Sequence, residues 1–225
     1  MSGMNKSGVP WADYTWNPIE GCSPASEGCL KCYAASFAKR FHRPWGTPVF
    51  HPEKIDQPML TKKPGRVFVC STSDLFHEGV DEDWQRHIFI VMRLSPQHTF
   101  MILTKRPARM AKRIPILEAP DLVPLPNVWL GVTAENQARY DERWPILASI
   151  PAKVRFVSVE PMLGPVLLNY ADGKLPDWVI CGPENGAGKR PCDYDWIATL
   201  SWESPCFFDK RESCCVPIRR EFPRT

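Results

Sequence analysis

Apolar runs rich in β-branched and aromatic residues recur along the chain, and a polar segment follows each of them. Most of these runs are continuously hydrophobic, which is typical of strands buried on both faces in a parallel sheet. A shorter run near the start of the chain fits a first strand. The predicted strands are 13–17, 66–71, 98–104, 127–133, 153–159 and 177–182.

Helix-compatible segments lie between these runs. Residues 32–41 are rich in alanine, residues 81–94 begin with acidic side chains, and residues 134–150 are helical in pattern, although we expect Pro145 to kink or end that helix. Residues 41–65 are too rich in proline for regular structure throughout. The alternation of strand and helix, repeated about six times at spacings of roughly 25–30 residues, predicts an α/β fold with right-handed crossovers.

The composition is that of an ordinary soluble globular protein, with 44% hydrophobic and 24% charged residues. The length of 225 residues suits one sizeable α/β domain, so we expect residues 1–225 to form a single domain. No apolar run approaches the roughly 20 residues that span a bilayer, and the first residues lack the apolar core of a signal peptide. We therefore expect a cytoplasmic protein. The net charge of +3 is compatible with nucleic-acid binding but does not indicate it.

Polar motifs follow the predicted strands directly. Ligands bind at the carboxyl ends of the strands in parallel barrels and in open α/β sheets, so we expect these motifs to meet at one rim and to form a functional site there. The side chains expected on this rim are Asp74, Lys105, Glu135, Glu160 and Glu184, together with the thiols of the loop after the first strand.

Three cysteines in that loop, Cys22, Cys29 and Cys32, have the spacing C-x6-C-x2-C. A chain with nine cysteines in the cytoplasm favours metal binding or catalysis over disulfides. Three thiolates could hold a [4Fe–4S] cluster and leave one iron open. Alternatively, Cys29 and Cys32 form half of a structural zinc site that His42 or His51 completes. An accidental grouping is the third alternative.

Two further cysteines, Cys70 and Cys181, lie within apolar runs, and we expect them to be buried small hydrophobic residues. The vicinal pair Cys214–Cys215 stands in a basic terminal segment, 210–225. That segment could contact nucleic acid or a partner, or ligate a second metal with Cys206. The simpler alternative is a poorly ordered terminus.

The motif series from residue 10 to 195 resembles the phage-associated three-cysteine-motif family, catalogued as phage proteins of unknown function. The series comprises WNPIEGCSPASEGCLKCYA, VFVCSTSDLFHE, TFMILTKRP, NVWLGVTAENQARYDER, VRFVSVEPMLGP and WVICGPENGAGKRP. That family is similar to radical S-adenosylmethionine (SAM) enzymes. The resemblance implies a partial parallel (β/α)6 TIM-like barrel in which Cys22, Cys29 and Cys32 ligate a [4Fe–4S] cluster. The open iron would chelate the amino and carboxylate groups of SAM.

The resemblance also implies roles for residues that follow the second and sixth strands. Ser71, Ser73 and Asp74 would bind the amino end of SAM, and the alternative is that they cap the next helix. Gly182 and Glu184, with Asn185 and Gly186, look like the sixth-strand motif that packs against adenine. A tight turn explains the glycines equally well.

The remaining rim residues suggest contacts of their own. Lys105, with its neighbour Arg106, could neutralise the SAM carboxylate or a substrate phosphate, or form a solvated basic turn. Glu135 and Asn136 could bind ribose hydroxyls, or they begin the next helix. Glu160 ends a very apolar strand, where an unpaired carboxylate is costly to bury, so a polar rim or ligand contact is favoured.

This chain departs from the radical SAM pattern at two places. The first cysteine gap is six residues long, and Lys31 rather than an aromatic residue precedes Cys32. The C-terminal segment 196–225 is atypical, because its helix is shortened and the family's PFFFKQWG-like strand is reduced to CFFDK.

Together these features predict an iron–sulfur protein that reductively cleaves SAM to act on an unknown substrate, with nucleic acid or a nucleotide as a candidate. The resemblance implies an electron donor such as flavodoxin or ferredoxin. Two alternatives stay open: a non-catalytic zinc-binding interaction module, and a degenerate barrel that binds SAM or a nucleotide without chemistry.

Overall fold

The computed structural model describes residues 2–117, 124–185, 188–204, 206–209 and 214–217. The strands are β1 Asn5–Lys6, β2 Tyr14–Trp16, β3 Ile19–Glu20, β4 Val49–Phe50, β5 Gly65–Val69, β6 His98–Thr104, β7 Val128–Thr133, β8 Val154–Val159, β9 Trp178–Cys181, β10 Cys206–Asp209 and β11 Cys214–Pro217. The α-helices are α1 Tyr33–Arg40, α2 Gln57–Leu60, α3 Glu82–Arg93, α4 Pro107–Leu117, α5 Gln137–Ser149 and α6 Tyr194–Glu203. Two short 3₁₀ helices cover Glu27–Cys29 and Pro52–Lys54.

These elements form a mixed α/β fold with a mostly parallel central sheet. The sheet order is β1-β2-β5-β6-β7-β8-β9-β10-β11, and all neighbours from β2 to β10 are parallel. β1 and β11 pair antiparallel at the two edges. All six predicted strands are confirmed, as β2 and β5 to β9. The linear order of the described strands has two edges, and β3 and β4 form a separate two-stranded sheet.

Successive side chains of a strand point to opposite faces of the sheet, and this alternation divides the buried residues into two clusters. In β5 and β6, Val67 and Ile102 belong to the larger cluster, while Phe68 and Met101 belong to a smaller one on the opposite face. Trp11, from the segment before β2, packs in the smaller cluster with its ring centroid 4.7 Å from that of Phe68. The helices thus cover one face of the sheet, and aromatic side chains fill the other.

One predicted helix is longer than expected. Pro145 lies inside α5, which continues to Ser149, so the expectation that the helix would end there is wrong, while the alternative of a kink stays a prediction. Proline removes one backbone hydrogen bond. Trp144 and Leu147 on either side of it are fully buried, and their packing holds the last turn in place. Cys70 and Cys181 are buried as predicted.

The C-terminal strand extends the sheet despite its altered sequence. β10 pairs in parallel with β9, with Phe207 opposite Val179, and β11 pairs back onto β10. The backbone of Cys214 and Cys215 lies in β11, and the poorly ordered terminus stays a prediction for the segment 210–225. Residues 210–213 and 218–225, for which contact with nucleic acid or a partner was considered, lie outside the described residues. Within the described part of the chain, no helix is long and apolar enough to cross a membrane.

Candidate functional site

A cavity of about 460 Å³ opens at the carboxyl ends of the parallel strands. Its floor is apolar and includes Trp11, Phe68 and Leu103, and its walls carry the polar motifs that follow the strands. The predicted site residues that line it are Cys22, Cys29, Cys32, Ser71, Ser73, Asp74, Lys105, Glu160 and Glu184. The structure thus brings together the cysteine loop and most of the predicted rim.

The three thiols are free and half-buried on this cavity wall. The backbone N–H of Ala25 donates to Cys29 Sγ at 3.4 Å, and Arg106 Nη1 lies 4.0 Å from Cys22 Sγ. Burial and the charge of Asp74 raise the pKa of the Cys22 thiol to about 11, although Arg106 opposes them. The uncharged thiol is therefore favoured at neutral pH.

The residues of the zinc alternative lie apart. His51 contacts Glu53 at 3.1 Å and Glu20 at 3.8 Å, while His42 is exposed just after α1. Among the described residues, no three His, Cys, Asp or Glu side chains are grouped as they would be around a single metal ion. This holds for the set in which Cys29 and Cys32 combine with a histidine and equally for Cys22, Cys29 and Cys32 as a group of three.

Asp74 is buried and accepts hydrogen bonds on both carboxylate oxygens. Oδ1 accepts from Phe76 N at 2.9 Å and from Thr104 Oγ1 at 2.7 Å. Oδ2 accepts from Lys105 N at 3.1 Å and from Arg106 Nη1 at 3.2 Å. Asp81, not the 71–74 motif, caps the next helix, so the capping alternative is wrong for this motif.

Ser71 and Ser73 also bond within the protein while lining the cavity. Ser71 Oγ donates to Asn17 Oδ1 at 3.0 Å, and Ser73 Oγ donates to the carbonyl of Gly21 at 2.6 Å. Both partners belong to the segment between β2 and the first cysteine. These serines therefore tie the second-strand motif to the cysteine loop.

Glu135 is fully buried and does not line the cavity. Its carboxylate accepts from Arg143 Nη1 at 3.0 Å and from Ser26 Oγ, and Lys105 Nζ lies 3.5 Å away. Burial opposes ionisation, but Lys105 and Arg143 outweigh it and hold the pKa of Glu135 below its usual value. The carboxylate therefore contacts the cysteine loop through Ser26.

Asn136 joins the same loop to α5. Its Oδ1 accepts from Arg139 N at 3.0 Å, which makes it the N-cap of the helix, as the second interpretation of this motif predicted. Its Nδ2 donates to Glu27 Oε1 at 2.7 Å, and Arg139 Nη2 donates to Glu27 Oε2 at 2.9 Å. Hydrogen bonding from Arg139 lowers the pKa of Glu27 to about 2.

The sixth-strand motif reaches the loop through a salt bridge. Glu184 is buried and pairs with Arg190, whose N–H donates to it at 2.9 Å. Arg190 Nη1 in turn donates to the carbonyl of Glu27 at 3.0 Å. Gly182 bonds only through its backbone, to Val159 and Met162. Gly186 lies outside the described residues.

Lys105 and Glu160 stand on the cavity wall. The Lys105 side chain is only 19% exposed, so the solvated-turn interpretation is wrong for it. Glu160 is half-buried and precedes Pro161 through a cis peptide bond. Both side chains are in place to meet a ligand in the cavity.

Two further polar residues contact the segment at Cys22 and Ser23: Arg106, which the sequence named together with Lys105, and His77, which it did not single out. Arg106 contacts Asp74, and its guanidinium donates to the carbonyl of Ser23 at 3.1 Å. His77 Nδ1 accepts from Gly79 N at 2.9 Å, so in the neutral ring Nε2 carries the proton and donates to Ser23 Oγ at 2.7 Å. Burial and Arg106 lower the pKa of His77, which favours this neutral form. The position of His77 shortly after β5 was the available signal.

Comparison with solved structures finds similarity to spore photoproduct lyase. The structure of that enzyme complexed with dinucleoside spore photoproduct gives a TM-score of 0.52 at 14% sequence identity, covering 70% of this chain and 48% of the other. A cysteine-to-serine mutant of the lyase gives 0.52 at 15% identity, with coverages of 72% and 49%. The matched region therefore spans about half the length of the lyase. This similarity shows the fold.

A search of curated proteins finds no match. A family profile, described as "Protein of unknown function (DUF5131)", matches residues 6–206. This range contains the cysteine loop, every parallel strand up to the start of β10, and all of the cavity-lining residues. The chain therefore belongs to the DUF5131 family of proteins of unknown function.

Proposed function

We propose that this chain is a cytoplasmic iron–sulfur protein of the radical SAM type that acts on nucleic acid or a nucleotide. The observation that carries the proposal is the convergence of Cys22, Cys29 and Cys32 on one cavity at the carboxyl edge of the parallel sheet. The finer description of the fold that we propose is a partial parallel (β/α)6 barrel, with β2 and β5 to β9 as its six strands.

The similarity to spore photoproduct lyase supports the proposal at the level of the fold. That lyase is a radical SAM enzyme, and the relationship to it is distant. Its structure with a dinucleoside bound motivates the substrate class that we propose. An electron donor such as flavodoxin or ferredoxin belongs to the same proposal.

Two groups beside the three thiols favour a negatively charged cluster, although burial and Asp74 raise the pKa of the Cys22 thiol itself. Cys22, Cys29 and Cys32 would hold it, the N–H of Ala25 already donates to a cysteine sulfur, and the guanidinium of Arg106 lies beside another. Hydrogen-bond donors and positive charge near thiolate sulfurs stabilise the anionic state. When bound, the cluster supplies the electron that reductively cleaves SAM.

The chain's own residues would bind and orient SAM. The ammonium of Lys105 matches a carboxylate, and the carboxylates of Glu160 and Glu184 match cationic or hydroxyl groups. Asp74 acts through its partners, because its bonds to Arg106 and to Lys105 N position both basic residues on the cavity wall. The apolar floor at Trp11 and Phe68 limits the entry of water from below.

Anaerobic purification followed by assay of iron, sulfide, zinc and the visible spectrum tests the proposal. About four irons per chain are expected, and each of the variants Cys22→Ala, Cys29→Ala and Cys32→Ala should lose them. Cys192→Ala is the matched control, because Cys192 is half-buried and is not among the cavity-lining residues. Full iron content in all three single variants would contradict the proposal.

Two other outcomes would identify the alternatives. A colourless protein with one zinc per chain would support the interaction module. Tight binding of SAM without release of 5′-deoxyadenosine under strong reductant would support a degenerate barrel.

A further inference from the structure

Helix α1 has its small and large side chains on unexpected sides. Ala34 and Ala38 are each 5% exposed and face the protein, whereas Tyr33 and Phe37 are 54% and 43% exposed. An ordinary surface helix buries its large apolar side chains. The aromatic face of α1 is therefore left for a ligand or a partner.

The exposed apolar side chains form one continuous stripe. Leu30 and Phe41, 77% and 50% exposed, extend the line of Tyr33 and Phe37 at both ends. Residues four apart lie on the same helix face, and the rise of about 1.5 Å per residue places Phe41 about 12 Å beyond Tyr33. We call Leu30, Tyr33, Phe37 and Phe41 the α1 stripe.

Positive charge accompanies the α1 stripe. Residues 30–43 contain four Lys or Arg side chains and no Asp or Glu, whereas the whole chain has a net charge of only +3. The guanidinium of Arg40 lies over the Phe41 ring at 5.5 Å, and that of Arg43 lies over Phe37 at 5.4 Å. Arg43 also pairs with Glu20 at 3.1 Å. Lys39 and Arg40 are exposed beside the rings.

The α1 stripe is continuous with the cavity. Leu30 and Tyr33 line the cavity wall next to Cys29 and Cys32, and they also begin the stripe. A polymeric ligand that places one monomer in the cavity would therefore place the neighbouring monomers along α1.

We propose that the α1 stripe binds single-stranded nucleic acid. Bases stack on aromatic rings and on guanidinium planes, and phosphates pair with Lys and Arg, so a single strand satisfies both features of the surface. Enzymes that act on a base bring that nucleotide into a pocket, which here is the cavity beside the stripe. That the bound nucleic acid is the substrate rests on the proposed function. Binding of the nucleic acid can be measured without a cluster.

Fluorescence anisotropy with a labelled 12-nucleotide single-stranded DNA, and with the matching RNA, tests the inference on the full-length protein. We expect binding at 50 mM salt that weakens steeply at 200 mM. The variant Lys39→Gln/Arg40→Gln should weaken binding and reduce the salt slope by roughly 1.4, since each phosphate contact in a single strand contributes about 0.7. Arg86→Gln/Arg93→Gln on α3 removes the same charge at a helix outside the cavity and should change neither quantity.

A second pair of variants tests stacking. Phe37→Ala/Phe41→Ala should weaken binding about tenfold or more for each ring that a base contacts. The two rings are about half-exposed and pack mainly on each other, at 4.4 Å between centroids, so thermal unfolding should change little, and that measurement accompanies the titration. Trp202→Ala, which removes an 84% exposed aromatic side chain from α6, is the matched control.

Three results would overturn the inference. They are the absence of binding at 50 mM salt, equal losses in the stripe and control variants, and tighter binding of poly-glutamate at the same stripe residues, which would indicate an acidic protein partner. Iron and SAM cleavage without oligonucleotide binding would reject the inference and leave the proposed function standing. Oligonucleotide binding in a protein that takes up no iron would support the inference and reject the proposed function.

Discussion

Gly28 lies directly against the carboxyl group of Glu135: a Cβ at position 28 would be 2.3 Å from Oε1. Gly28 belongs to the loop between the first and second cysteines, and Glu135 follows β7, the central strand of the sheet and three positions from β2. The absence of a side chain at position 28 therefore lets the cysteine loop close onto a buried carboxylate.

The substitution Gly28→Ala should displace the cysteine loop. Glu135 cannot yield easily, because Arg143, Lys105 and Ser26 hold it and it is fully buried. We expect a loss of about 1–3 kcal/mol in the free energy of unfolding and a lower iron content after reconstitution. Urea unfolding and iron assay measure both.

Gly8→Ala is the control for this substitution, since a Cβ at Gly8 meets no atom within 4 Å. Equal stability and equal iron content in the two variants would contradict the tight contact between loop and carboxylate.

Arg106→Gln should lower the retention of iron. The side chain joins Asp74, Glu78 and the carbonyl of Ser23, and its charge lies beside Cys22. Its loss would leave the buried Asp74 carboxylate short of a charged partner and remove positive charge from the thiol side. The measurement is the iron content that remains after the protein has been incubated with a chelator.

Arg109→Gln provides the comparison, because Arg109 lies in the first turn of α4, just after Arg106, and within the described residues its guanidinium donates to the carbonyls of His77 and Val80 and not to a carboxylate. Similar iron retention in the two arginine variants would show that Arg106 has no special relation to Cys22.

Gly131→Ala should destabilise the fold without acting on the site. Gly131 of β7 is paired with Phe156 of β8, and a Cβ there would be 2.4 Å from the buried Phe156 ring. The ring packs in the aromatic cluster with Trp178 at 6.0 Å and has little room to turn. We expect a cost of about 1–3 kcal/mol, read from urea unfolding. An unchanged unfolding midpoint would mean that the cluster repacks freely.

The stability of the protein should fall in acid partly through Glu27. Its pKa in the folded protein is about 2, below the ordinary glutamate value of 4.5. Its pairing with Arg139 and Asn136 therefore stabilises the fold above pH 4.5, and this contribution is lost as the pH falls toward 2. The pair is partly exposed, so the effect is modest.

Glu27→Gln should reduce the difference in unfolding free energy between pH 7 and pH 3. Chemical denaturation at both pH values measures this difference. A difference identical to that of the unmodified protein would rule out Glu27 as a contributor.

The sheet was predictable because buried parallel strands require continuous apolar runs, and the six runs from 13–17 to 177–182 have no other equally good interpretation. α4 was not marked out, because its segment carries Pro107 and Pro115, which sequence rules count against a helix. Pro145 misled the prediction because sequence pattern does not reveal the burial of Trp144 and Leu147. Local rules therefore succeed where strands are concerned and fail where packing holds a helix together.

The cavity wall was also predictable, since strand ends in a parallel sheet meet at one edge. The contacts of Glu135 and Asn136 were not, because they depend on how the loop at 23–28 folds back onto the start of α5. Asn136 and Glu27 are 109 residues apart in sequence. No motif spacing encodes such a contact, so the sequence suggested ribose binding where the structure shows support for the cysteine loop.

The supports of the cysteine loop also set an order of assembly. The loop is made early in synthesis, but its partners at Arg106, Asn136 and Arg190 come much later, and the bond from Arg190 to Glu27 joins residues 163 apart. Contacts of such long range form only after the intervening chain has folded. The ribosome must therefore have released residue 190 before the loop gains its full set of bonds. The thiols of Cys22, Cys29 and Cys32 therefore gain the full support of their loop only after residue 190 has been made.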